Sequence, residues 1–559
     1  MKRFAIVPAV LAIGALWSMA PIGSVEVVIG QGRSADTGAE TASFAPVSWE
    51  RLVNAADEPQ NWLMYSGTFD SQRYSRLNQV HNRNVQRLEL KWAYQLSALD
   101  RAETTPLVVD GVMFITEAPS NVVAVDARTG RPFWRYEHEL PEDLRICCGR
   151  NNRGVAILGD TLYMSTLDAH LVAIDARTGN PLWAAEVADY RSGYSKTAAP
   201  LIVRDKVVTG IAGGEFGIRG FLDAYNAATG ARDWRTYTIP GPDNPDNQTW
   251  AGDSWRTGGS PTWITGAYDP DLDLVYWGTG NPGPDYNGDV RMGDNLYADS
   301  ALALDGASGE LNWYFQFTPH DVHDWDAIQI PVLADLKIGD QVRKVMMWAN
   351  RNAFFYTLDR ETGEFLSGRP FARQTWAEGL DDKGRPIRRP NTFPTAEGTL
   401  VSPDASGGTN WQSPTYSPRT ELFYVMAFDG EAEFYIRDEE YLEGDRFTGG
   451  GQQRPLPVDK YSSAVRAIDP RTGDRRWEYR VQPQTWAGLL STAGDLVFGG
   501  TVEGYFFALD AVNGQELWHI SLGAEVRAAP ISYAVDGQQY VTIAAGNVVY
   551  AFGLVDGDD

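Results

Sequence analysis

Residues 124–134 read AVDARTGRPFW, and the phrase returns six more times along the chain. It recurs as AIDARTGNPLW (173–183), AYNAATGARDW (224–234), ALDGASGELNW (303–313), TLDRETGEFLS (357–367), AIDPRTGDRRW (467–477) and ALDAVNGQELW (508–518). The fifth loses its tryptophan to Ser367, and RLELKW, ending at Trp92, is a degenerate eighth copy. The shorter spacings are 41 to 54 residues, the size of a four-stranded propeller blade. Inside a copy, LVVDGVMFIT (107–116) reads strand, Asp-Gly turn, strand, and the phrase itself reads strand, Thr-Gly turn, strand. Each tryptophan offers a flat apolar face to a neighbouring unit. The fold this predicts is all-β: an eight-bladed β-propeller with tryptophan-docking repeats, occupying residues 61–559 as one domain.

The 56 glycines and 19 tryptophans suit a repeated β architecture. A formal net charge of −25 argues against nucleic acid and anionic membrane surfaces as partners, and serves solubility. The start, MKRFAIVPAVLAIGALWSMAPIGS, places Lys2 and Arg3 before an apolar run from Phe4 to Ala20. Residues 1–24 therefore read as a secretory signal, with an uncleaved anchor as the alternative. The run is short for a membrane span, which takes about 20 residues. Residues 25–60 read as a leader. Export to the periplasm puts the chain in an oxidising compartment, where its only two cysteines, the adjacent Cys147 and Cys148, can pair.

Three stretches break the repeat. FTPHDVHDWDAIQIP (317–331) concentrates Asp321, Asp324 and Asp326 with His320 and His323. GIAGGEFGIRG (210–220) sets Glu215 among glycines, and YWGTGNPGPDYN (276–287) carries Asn281 after a strand. Each can also be an ordinary polar turn. Taken together, Glu215, Asn281, Asp324 and Asp326 form an all-oxygen donor set suited to a hard cation rather than zinc, copper or haem iron. The chain has no CxxCH for a covalent haem and no glycine-rich nucleotide fingerprint after a strand.

The repeats, CCGRNNRG (147–154), GGEFGIRG (213–220), WGTGNPGPD (277–285), TPHDVHDWD (318–326), NRNAFFYTLDR (350–360), GGTNWQSPTYSP (407–418) and WAGLLSTAGDLVFGGT (486–501) stand in the chain in this order. In them the sequence resembles the pyrroloquinoline-quinone (PQQ)-dependent alcohol dehydrogenases of the methanol and ethanol dehydrogenase type, from about Trp62 to the end. The resemblance implies Asp324 as catalytic base and Arg351 beside the reactive quinone carbonyls. It implies Glu215, Asn281 and Asp324 as metal ligands, and Trp263 stacked under the quinone with a Cys147–Cys148 disulfide above it. Glu103, Arg153, Thr197 and the backbone of Gly213 and Gly214 fall on further quinone contacts. Asn410, Trp411 and Trp486 match other cofactor or pocket positions.

Asp326 separates two kinds of member. Lanthanide-dependent enzymes of this type carry an aspartate there, and a trivalent ion in a buried site calls for one more anionic oxygen than a divalent one. The expected cofactors are PQQ and a lanthanide ion, with Ca2+ as the alternative. The expected reaction is oxidation of a small primary alcohol to an aldehyde, with electrons passed to a soluble cytochrome c and a homodimer admitted. A sugar or polymer alcohol as substrate, and a non-catalytic propeller scaffold, are the competing readings.

Overall fold

The computed structural model describes residues 41–455, 461–481 and 483–555. The signal segment 1–24 and the leader up to residue 40 lie outside the described residues. The described chain is built of strands, with one short α-helix, Trp49–Val53, and none long and apolar enough to cross a membrane.

The first sheet runs Leu107–Val109, Val112–Glu117, Asn121–Asp126 and Pro132–Tyr136, each strand antiparallel to the next. The same order recurs over 155–186, 201–237, 267–316, 332–370, 415–481 and 490–521, the last with Tyr74–Ser75 added parallel to its first strand. The last sheet takes three strands from 531–554 and its outer strand, Leu88–Gln95, from the other end of the chain. Because neighbouring strands alternate in direction, two sets of connections emerge at opposite ends of the sheets. Hairpins between strands one and two, and three and four, share one end. Links between strands two and three, and from one sheet to the next, share the other.

The repeated phrase builds the hairpin between strands three and four. Asp126 accepts from the backbone N–H of Arg128 and Thr129 at 2.8 and 2.9 Å, and Gly130 N–H closes the turn on Asp126 O. Asp175, Asp359 and Asp510 repeat this Asx turn. The turn glycines at 130, 179, 230, 309, 363, 473 and 514 all have φ between +72° and +76°. A tryptophan from the preceding sheet covers most of them: Trp92 lies on Gly130, Trp134 on Gly179, Trp183 on Gly230, Trp234 on Gly309, Trp313 on Gly363 and Trp477 on Gly514. Four of these indoles, Trp92, Trp134, Trp183 and Trp477, donate to alanine carbonyls of the neighbouring phrase at 3.0–3.3 Å. Where Ser367 replaces tryptophan, Arg369 covers Gly473 instead.

A side chain on such a glycine meets both a left-handed backbone and an indole. A Cβ added at Gly179 would stand 2.5 Å from Trp134 Cε3. Gly179→Ala is therefore expected to destabilise the protein by about 2–4 kcal/mol. Gly159, at φ +63° with no atom near its Cβ position, supplies the control, where Ala costs about 1–2 kcal/mol from the backbone alone. Equal shifts in the two denaturation midpoints would show that the indole contact adds nothing.

Residues 41–60, read as leader, pack on the sheets. Ala42, Phe44, Val47 and Leu52 are buried, Val47 pairs with Gly159, and Arg51 bridges Glu58 and Asp110 at 2.7 and 2.9 Å. The polar, glycine-rich stretch from Asp438 also packs on the sheets. Phe447 is buried and donates its N–H to Glu215 O at 2.7 Å, and Gly450–Gln453 joins Ala432–Ile436 in a small sheet.

Candidate active site

Every site residue expected from the sequence lies in a link from one sheet to the next or between strands two and three. Strand alternation therefore brings them to one end, opposite the repeated hairpins. There they surround a cavity of about 250 Å³. Glu103, Cys147, Cys148, Arg153, Thr197, Gly213, Glu215 and Trp263 line it, together with Asn281, Asp324, Asp326, Arg351, Asn410, Trp411 and Trp486. Gly214 stands behind the wall, where a Cβ would lie 3.1 Å from the Pro261 ring.

One side of the cavity is flat and cationic. The Arg153 guanidinium lies between Trp263 and Trp411, 5.3 and 4.7 Å from the ring centroids. It pairs with Glu103 at 2.7 Å, and Arg527 approaches the same carboxylate at 3.7 Å while lying over Trp486. Burial raises the Glu103 pKa against the pull of both arginines. Thr197 Oγ1 donates to Trp263 O at 3.4 Å, and Trp411 N–H donates to Asn410 Oδ1 at 2.9 Å. A disulfide joins Cys147 to Cys148, and Cys148 Sγ lies 3.4 Å from Glu215 Oε1.

The other side is acidic. Asp326 accepts from Asn281 N–H at 2.8 Å and Trp263 Nε1–H at 3.2 Å, and pairs with Arg351. Arg351 reaches Asp324 at 3.2 Å with its second terminal nitrogen, which also donates to Ala405 O. Asp324 holds φ at +60°, a left-handed backbone that costs roughly 1–3 kcal/mol in a non-glycine residue and concentrates at functional sites. Asp324 and Asp326 share the Arg351 guanidinium, Glu215 and Asp285 lie beside them, and all four carboxyl pKa values are raised. Burial is the main cause; mutual repulsion adds to it.

This donor set fits a hard cation: its oxygens are anionic or amide, its negative charge exceeds the local positive charge, and its sulfurs are tied up as a disulfide. The flat side fits a planar anion. Among the described residues, Arg153 Nε and Nη1 and Arg351 Nε are buried donors without a hydrogen-bond partner.

Sequence reasoning missed Asp285 and Arg527. Asp285 lies in the same glycine- and proline-rich loop as Asn281, and its carboxylate accepts from Asn281 Nδ2 at 3.0 Å. Arg527 shares a structural register with several residues that were expected. The residue four before each innermost strand is Glu103, Asn151, Thr197, Trp263, Ile328, Trp411, Trp486 or Arg527. Seven of these line the cavity, and Ile328 packs under it with Trp263, Trp411 and Trp486.

Residues 62–370 match the family model described as glucose/ethanol/alcohol dehydrogenase, beta-propeller domain, and residues 462–559 match the one described as outer membrane protein assembly factor BamB. The chain is 39% identical to the quinoprotein alcohol dehydrogenase PedH of Pseudomonas putida, over 90% of this chain and 89% of PedH. It is 35% identical to the quinoprotein ethanol dehydrogenase of Pseudomonas aeruginosa, over 91% of this chain and 89% of the relative. A europium-containing methanol dehydrogenase structure superposes with a TM-score of 0.86 at 31% identity, covering 90% of this chain and all of that one.

Proposed function

Since the chain belongs to the PQQ-dependent quinoprotein alcohol dehydrogenases, we propose that it oxidises primary alcohols to aldehydes in the periplasm, with a lanthanide ion at the acidic side of the cavity. The observation that carries this reading is that Glu215, Asn281, Asp324, Asp326 and Arg351 line one cavity with Trp263 and the Cys147–Cys148 disulfide. Seven four-stranded sheets and one of five strands support a closed ring of eight blades, and the indole–glycine contacts support tryptophan docking between them.

In this reading Trp263 and the Cys147–Cys148 disulfide would hold the quinone in the cavity. Arg153, Thr197, Arg527, Glu103 and the Gly213 backbone would hold it as well, and Asn410, Trp411 and Trp486 would complete the enclosure. Glu215, Asn281, Asp324 and Asp326 would hold the ion. When bound, the quinone would supply the acceptor for the hydride of the alcohol carbon, and the metal would supply Lewis-acid polarisation. Asp324 removes the hydroxyl proton, which requires it to be ionised. The Arg351 guanidinium at 3.2 Å favours that ionised form and stabilises negative charge developing on oxygen. The three tryptophans exclude water from the reacting groups. The net change is alcohol to aldehyde, with two electrons leaving on the cofactor for a soluble cytochrome c. The surplus of acidic groups suits a basic partner of that kind. A scaffold role would leave the buried carboxylates without a purpose.

Elemental mass spectrometry and the absorption spectrum of purified protein test the reading. It expects about one lanthanide and one quinone per chain, with primary-alcohol oxidation measured by a dye acceptor. Calcium alone supporting activity, with nothing gained from a lanthanide, would overturn the metal assignment. Reducing the disulfide is expected to release quinone at temperatures where the far-UV spectrum is unchanged; simultaneous loss of both would make the bridge a fold element.

A further inference from the structure

We infer that Asp285 is a positioning residue of the metal site, holding the Asn281 amide with its carbonyl oxygen turned into the cavity. The inference rests on the metal reading above.

Asn281 Nδ2 donates to Asp285 Oδ1 at 3.0 Å and to Pro282 O at 3.4 Å. Both acceptors hold the nitrogen, so the oxygen is turned toward the turn that carries Glu215. Asn281 Oδ1 lies 4.0 Å from the Cβ position of Gly214, next to Glu215. Among the described residues no donor is bonded to it. The flipped amide would put oxygen against Pro282 O, which has no proton to give. Orientation decides whether Asn281 is a ligand at all, because hard cations bind the carbonyl oxygen of an amide.

Asp285 is itself braced. It is buried at 3% exposure, and fully buried Arg291 clamps its loop. Arg291 donates to Pro284 O at 3.1 Å, Asp285 O at 3.2 Å, Asp321 O at 2.6 Å and Asn295 Oδ1 at 2.9 Å. The carboxylate therefore points at Asn281 from a fixed backbone, the arrangement by which partners of metal ligands orient them.

The test uses the full chain loaded with the quinone and titrated with LaCl3 against a chromophoric chelator, for wild type, Asp285→Asn and Asp285→Ala. The Asn variant keeps an acceptor of the same shape, and the Ala variant removes it. La3+ affinity is expected to fall about 10–100-fold in Asp285→Ala and clearly less in Asp285→Asn. Eu3+ luminescence lifetimes are expected to report one more bound water in the Ala variant, where the Asn281 oxygen has swung away. The melting point without metal stays near the wild-type value, which a merely structural role would lower. Asp285→Ser replaces the Ala variant if that does not fold. La3+ affinity within twofold of wild type in Asp285→Ala, or equal losses in the Ala and Asn variants, overturns the inference. A wild-type protein that binds no La3+ sinks the metal reading itself.

Discussion

Asp324→Asn is expected to lower kcat by about 10²–10⁴-fold, the range over which a positioned base contributes. The substitution is unusually clean here. Asparagine tolerates the left-handed backbone that Asp324 adopts at φ +60°. Its carbonyl oxygen can still face a cation, so metal content should hold while proton removal is lost. Arg351 keeps its second carboxylate, Asp326, and its bond to Ala405 O. Single-turnover kinetics with elemental analysis of the same sample check this. A fall of less than tenfold with full metal content would remove Asp324 from the role of base.

The second large effect is on metal choice. Asp326→Asn is expected to cut lanthanide-dependent turnover about hundredfold or more and to leave calcium binding less affected, because one anionic oxygen is lost. From the sequence alone, Asp326→Ala is expected to lose lanthanide-dependent activity far more than thermal stability. The structure changes that expectation. The Asp326 carboxylate accepts from Asn281 N–H and Trp263 Nε1–H and pairs with Arg351. Alanine would orphan all three donors, and breaking a buried pair costs roughly 3–5 kcal/mol. Asparagine retains an acceptor for Asn281 N–H and isolates the charge. Metal competition between La3+ and Ca2+, read beside the melting midpoint, decides it. Unchanged preference in the Asn variant would make Asp326 a structural partner of Arg351.

The repeat was legible because its cause is local. An Asx turn needs Asp, a left-handed turn needs glycine, and a covering indole needs tryptophan, so three residue types recur at fixed spacing. The cavity was legible only where residues broke that grammar or matched the family resemblance, as Glu215 and Asp324 did. Asp285 was hidden because its loop also reads as a simple glycine- and proline-rich turn; the bond to Asn281 exists only in the fold. Arg527 was hidden because its register repeats in position but not in residue type. Glu103, Thr197, Trp411 and Arg527 share one place before an innermost strand and have nothing else in common. Packing of Phe447 against the Glu215 turn was beyond reach, since contact between residues so distant in sequence has no local signature.

The sheet that joins Leu88–Gln95 to residues 531–554 imposes an order in time. Most sheets draw their four strands from one stretch of chain, so their contacts are close in sequence. This one must bring together segments more than 400 residues apart, and such pairing is slow to form. Until it is made, Leu88–Gln95 presents an unpaired strand edge. A chain cut before residue 531 keeps the strands of every other sheet and leaves that edge permanently open.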